Sequence, residues 1–234
     1  MKNNTFKNPI YVSLAIVILI MLAGLARSIF LMDETQSLSK SMPTLLAVAS
    51  LIGGLYVLVV HFLLRYTKEK YRDIGFVKEN ILKQIRIGVL FGILIFILQN
   101  FIMHPLISAI VPQTTGKEIE INTFFSSLWY LPVLIVLSVL KGGLSEELWR
   151  VFVLTRFQKC FGKPGLIIAL ILGSILFGFG HLYQGIASVI SISIVGFLYA
   201  LVYLRKGFAW EAVVGHATYD IVAIILGFIL YYGK

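Results

Sequence analysis

Apolar runs of about the length that crosses a bilayer succeed one another along this chain, and that feature leaves few folds open to it. They occupy 10–30, 44–64, 87–103, 128–140, 165–179, 186–204 and 208–232. A hydrocarbon core about 30 Å thick is crossed by a helix of roughly 20 residues, and lipid leaves no partner for unpaired backbone N–H and C=O groups. The expectation is an all-α, polytopic transmembrane helix bundle of about seven to eight helices. The fourth and fifth runs are short for full spans. The segment between them, 148–161, sets Arg150, Arg156 and Lys159 among apolar residues, the pattern of an extra, partly interfacial helix. With 59% hydrophobic residues and a mean hydropathy of +0.92, the composition excludes the ordinary soluble class. No remaining stretch is long enough for a soluble domain, so 1–234 reads as a single membrane domain.

The net charge of +9 reports topology rather than a nucleic-acid partner, because the Lys and Arg residues sit in connectors between apolar runs. Arg65, Lys68, Lys70, Arg72, Lys78, Lys83 and Arg86 fill one connector, whereas 112–123 has Lys117 beside Glu118 and Glu120. The positive-inside rule makes the first connector cytoplasmic. Alternation then places Lys2, Lys7, the 141–163 region, Arg205 and Lys206 on that side, with Asp33, Glu34, the 181–185 turn and the C-terminus opposite. The expected location is the cell membrane, multi-pass, with a cytoplasmic N-terminus. The run after Lys7 is long and lacks a small-residue cleavage site, which reads as a retained helix rather than a signal peptide. A single cysteine, Cys160, excludes an internal disulfide and a Cys-based zinc cluster, and reads as a packing residue.

Ionisable groups retained at membrane depth are functional candidates, since each costs about 2.5–3.5 kcal/mol to insert. In Ser145-Glu146-Glu147-Leu148-Trp149-Arg150, helical spacing lets Arg150 reach either carboxylate, pairing one and leaving the other free as a general base. Read alone, the same residues equally make a structural ion pair at a helix end. Phe177 lies one turn before His181 and can wall the imidazole off from lipid; by itself His181 is more often an interfacial histidine. His216 and Asp220 share one face of an apolar helix, where a carboxylate can fix an imidazole tautomer, or the pair can simply join helices. His61 and His104 have no partner in helical register and read as structural. No His-Glu-x-x-His signature, nucleotide-binding pattern or nucleophilic Ser or Cys context is present.

These three elements, in this order on separate helices, resemble the CPBP family of intramembrane proteases, which includes the CAAX prenyl endopeptidases of the Rce1 type and the bacterial Abi and bacteriocin-immunity proteins. The family-like catalytic core is about 125–234. The resemblance implies an endopeptidase that uses glutamate-activated water on a peptide or membrane-anchored protein substrate. Glu146, Glu147, His181 and His216 would be catalytic, with Arg150, Phe177 and Asp220 supporting. It implies either a metal site, Zn2+ on Glu146, His181 and His216, or a metal-free glutamate mechanism. The family motif has three residues between its second Glu and its Arg; here Leu148 and Trp149 alone intervene. Alignment on Arg150 therefore places the two Glu positions at Ser145 and Glu146, and either Glu fits the role of base, Glu146 being preferred. Strict alternation also sets Glu146 and His181 at opposite ends of successive helices, so a broken or tilted helix must bring them together. The competing readings are a non-catalytic membrane accessory or bacteriocin-immunity protein with the same polar cluster, and a proton-coupled transporter, whose paired repeats are not found here.

Overall fold

The computed structural model describes residues 8–30, 42–111, 125 and 127–233. Lys2, Lys7, Asp33, Glu34 and the 112–123 connector, with Lys117, Glu118 and Glu120, lie outside the described residues. Those residues are 89% helical with no strand, and among them are six helices long and apolar enough to cross a membrane.

Helix α1 is Pro9–Phe30 and α2 is Met42–Tyr66. After a 3-10 turn at Tyr71–Ile74, α3 (Ile81–Leu98) runs through a π-helical segment, Gln99–Met103, into α4 (His104–Ile110). Helix α5 (Tyr130–Leu137) passes through a second π segment, Ser138–Glu146, into α6 (Glu147–Phe179). A 3-10 turn at Leu182–Gln184 leads to α7 (Ile186–Lys206) and α8 (Ala209–Tyr232). Every apolar run of the sequence falls on a helix. Five have one each, and the runs at 128–140 and 165–179 share the 50-residue stretch Tyr130–Phe179.

That stretch is not one rod. At Gly162 the backbone takes φ 65°, ψ −146°, a region that favours glycine, and Pro164 follows. The break folds α6 into two antiparallel arms, 147–161 and 163–179, which line the same cavity. This hairpin resolves the separation of Glu146 from His181. They lie 16 and 19 residues on either side of Gly162, about 24 and 28 Å of helix out and back, so His181 returns to the depth of Glu146.

The first arm is a correction to the expected interfacial helix. Leu148 and Val151 to Phe157 are buried in the central core with Leu14, Val17, Val60, Leu64 and Tyr199. Its basic residues are neutralised rather than solvated. Fully buried Arg156 pairs with Glu69 at 2.5 Å, and Lys159 joins the same carboxylate. Burial alone would raise the Glu69 carboxyl, but Arg156, Lys159 and the Thr67 hydroxyl hold it down at about 2. Glycines let other helices touch along their backbones. A Cβ on Gly88 would meet the Glu211 carbonyl at 2.8 Å, and one on Gly92 would collide with that of Gly215, so α8 lies directly against α3.

Candidate active site

The site forms where the π segment before α6 crosses α8. A π-helix repeats its bonds from i to i+5, and that register lays Lys141 beside Glu146, Nζ to Oε1 2.5 Å. The crossing is close because Gly142 and Gly143 carry no side chain. A Cβ on Gly142 would strike the Asp220 carboxylate, and one on Gly143 would come within 2.8 Å of the Ala217 Cβ.

Behind Glu146 lies a buried layer. Glu147, with no exposed surface, accepts a hydrogen bond from Arg150 one turn on and another from His216 Nδ1, 2.7 Å from its Oε1. A carboxylate only accepts, so Nδ1 carries the proton and Nε2 of His216 faces forward. That nitrogen stands 3.7 Å from Glu146 Oε2 and 3.9 Å from Asp220 Oδ2. Tyr199, fully buried, stacks on the imidazole at 4.8 Å and 13°, and Phe177 meets it edge-on at 5.9 Å. The Arg150 guanidinium rests 4.4 Å over the Phe177 ring, so one aromatic braces both groups. His181 donates Nδ1–H to the Phe177 carbonyl at 3.0 Å, leaving Nε2 as its unengaged nitrogen.

A cavity of about 300 Å³ runs between α1, α2 and the two arms of α6. Lys141, Glu146, Arg150, Phe177 and His181 line it, and its other walls are mostly apolar, including Ile20, Ile52 and Leu170. The seven site residues expected from the sequence thus divide. Glu146, Arg150, Phe177 and His181 reach the cavity, whereas Glu147, His216 and Asp220 stand in the layer behind it. His61 and His104 lie elsewhere, facing Tyr71 at 3.2 Å and Ser108 at 3.5 Å.

The zinc set offered by the resemblance does not fit these positions. Among the described residues no three His, Cys, Asp or Glu side chains are grouped to hold a metal. Zinc needs its donors turned on one point at about 2.0–2.2 Å. Here the Glu146 charge is matched by the Lys141 ammonium, which occupies the carboxylate a metal would need.

Three residues of the site escaped the sequence reading. Lys141 had been counted with the cytoplasmic charges; only an i,i+5 register, which α-helical spacing does not contain, pairs it with Glu146. Tyr199 and Tyr56 are aromatics in apolar runs, indistinguishable there from core. Tyr56 lines the cavity and stacks on Trp149 at 5.2 Å.

Span-capable helices around a buried carboxylate and histidine centre define the class: a multi-pass helical membrane protein with a polar site enclosed at membrane depth. Residues 127–222 match the family model described as Rce1-like, type II CAAX prenyl endopeptidase Rce1-like. The match takes in under half of the chain, and that stretch is similar to the Rce1-like family, consistent with the resemblance to the CPBP family. No curated protein and no solved structure matches the chain.

Proposed function

We propose that this protein is an intramembrane endopeptidase in which Glu146 activates water against a peptide bond. The observation that carries the reading is the division of the two glutamates. Glu146 faces a cavity of substrate size, while Glu147 is spent on Arg150 and His216. Glu146 takes a proton from water as the oxygen attacks the scissile carbonyl, and a tetrahedral oxyanion forms. The same carboxyl then returns the proton to the departing nitrogen as the C–N bond breaks. Lys141 and His181 stand on the cavity wall as the groups that meet the developing oxyanion and orient the carbonyl. Glu147, His216 and Asp220 support Glu146 from behind, and Arg150 and Phe177, at the cavity wall, brace Glu147 and His216.

The substrate is a peptide or membrane-anchored protein, the catalytic core is about 125–234 of one membrane domain, and the basic connectors face the cytoplasm of the cell membrane. The test is cleavage of a quenched peptide library by detergent-purified protein, with and without chelator. Turnover that survives chelator and disappears in folded Glu146→Gln supports the reading. Absence of turnover in every preparation, with a cellular phenotype that survives Glu146→Gln, moves the protein to the membrane-accessory role.

A further inference from the structure

We infer that the stretch of the cavity between the two arms of α6, past Glu146 towards the hairpin tip, is a subsite for one large apolar side chain of the substrate. That side chain belongs to a residue flanking the scissile bond, and Gly173 sets the size admitted. The inference rests on the endopeptidase reading and adds to it the class of peptide that suits the site.

Equal distances from Gly162 mean equal depth on the two antiparallel arms. Arg150 and Ser174 each stand 12 residues from it, and Leu154 and Leu170 each eight, so these residues face one another in level pairs. On the first arm the cavity is lined by Glu146, Trp149, Arg150, Val153 and Leu154. Steps of three and four residues make one stripe of an α-helix, and this stripe extends about 12 Å along the axis. Its character changes on the way. The charged groups end with Arg150, about 6 Å from Glu146 along the arm, and that guanidinium is already engaged by Glu147 and the Phe177 ring. Beyond it the lining is Val153, Leu154, Ala169, Leu170 and, from α7, Ala200. At the border the Ser174 hydroxyl donates to the Leu170 carbonyl at 2.6 Å, so its proton is spent within the helix. A site graded in this way from ionised groups to hydrocarbon takes a peptide carbonyl at one end and an apolar side chain at the other.

The second arm supplies the room. Gly173 lines the cavity at the level of Arg150, and a Cβ there meets no heavy atom within 4 Å. Five residues on, the same atom on Gly178 would strike the Val189 carbonyl and the Ser193 hydroxyl. Gly178 is small because α7 packs against it, whereas no packing contact asks for a glycine at 173. Glycine weakens a helix interior, and what it leaves here is open space inside the cavity. Ala169, one turn nearer the tip, continues the gap. Trp149, one turn from Glu146, stacks on Tyr56 at 5.2 Å and 11°, which gives the same cavity a flat aromatic wall. A residue whose carbonyl lies at Glu146 thus has, about one helical turn away, a space that a Leu or Phe side chain fills.

The test uses the detergent-purified full chain and quenched peptides alike except beside the cleaved bond. There Ala, Leu or Phe is placed on either side in turn, and cleavage sites are located by mass spectrometry. The readout is the ratio of kcat/KM for the Phe peptide to that for the Ala peptide, because a ratio within one preparation does not depend on how much of it is folded. At one of the two flanking positions wild type should favour Leu and Phe over Ala by roughly 10-fold or more. Gly173→Leu, which places a side chain in the open space, should lower the Phe-to-Ala ratio by roughly 10-fold, and Gly173→Ala, which adds one methyl, should lower it less. A ratio unchanged in both variants overturns the inference, and so does an equal loss with every peptide in Gly173→Leu. Wild-type turnover that ignores the size of both flanking residues sinks the inference and spares the endopeptidase reading; absence of turnover with every peptide sinks both.

Discussion

Glu147→Gln and Glu146→Gln, one residue apart and chemically identical, should damage different properties. The Glu147 side chain is 0% exposed and that of Arg150 is 9% exposed. An amide at position 147 leaves a guanidinium in the core without its anion, while the His216 Nδ1–H still finds an amide oxygen. Breaking a buried pair by removing one partner costs about 3–5 kcal/mol, a large part of a total folding stability of about 5–15 kcal/mol. Glu146 and its partner Lys141 are 13% and 31% exposed and border the cavity, so loss of that pair falls nearer the ~1 kcal/mol of solvated pairs. Denaturant unfolding in detergent, followed by helical circular dichroism, gives both stabilities, and peptide turnover gives the activities. Glu146→Gln should unfold within about 1 kcal/mol of wild type and have no turnover; Glu147→Gln should lose about 3 kcal/mol or more. A second substitution, Arg150→Met in Glu147→Gln, removes the stranded cation and should recover much of the stability without restoring activity. Equal destabilisation by the two amides, or a Glu147→Gln protein as stable as wild type, would refute the division of roles.

Three further outcomes follow from the packing. The Tyr199 hydroxyl is buried without a partner, so Tyr199→Phe should be neutral to slightly stabilising; Tyr199→Ala, which removes the stack on His216, should cost about 3–5 kcal/mol and reduce turnover in the same assays. Gly178→Ala drives a Cβ into the Val189 carbonyl and the Ser193 hydroxyl and should lower stability by about 1–3 kcal/mol, whereas Gly173→Ala, with open space around it, should be neutral or gain up to about 1 kcal/mol from helix propensity. Glu69 sits at about 2 in the folded protein against 4.5 for the free group; because the folded value is the lower one, its stabilisation is complete above about 4.5 and drains away as the pH falls towards 2. Melting curves between those limits should show Glu69→Gln losing this part of the acid dependence, on the order of 1–2 kcal/mol once solvent screening of a loop residue is allowed for.

How far the sequence was readable depended on whether the signal was a period or an exception to one. Runs such as 186–204 and 208–232 are nearly uniform in polarity, and lipid allows them no structure but helix, so α7 and α8 appear within a few residues of their expected bounds. The pairs at three- and four-residue spacing, Glu147 with Arg150, Phe177 with His181 and His216 with Asp220, were equally open to inspection, because an α-helix makes such residues neighbours. What stayed hidden lies where the α period lapses. Gly162 turns two apolar segments and the basic stretch between them into a hairpin, and its single left-handed residue carries no weight in a hydropathy window. The π segment at Ser138–Glu146 shifts the register by one residue, which moves Lys141 from the cytoplasmic count to the side of Glu146 and leaves Glu147 turned inward towards His216. The same lapse bears on the motif's missing residue. With two residues rather than three before Arg150, the second glutamate is the one an α-helical turn joins to the guanidinium, and the first is left to the cavity. If that is the reason Glu146 is the base, Glu146→Asp, which withdraws the carboxylate by one methylene of about 1.5 Å, should cut turnover by roughly 100-fold while the helix keeps its stability. A variant that retained wild-type turnover would show that the water is activated elsewhere.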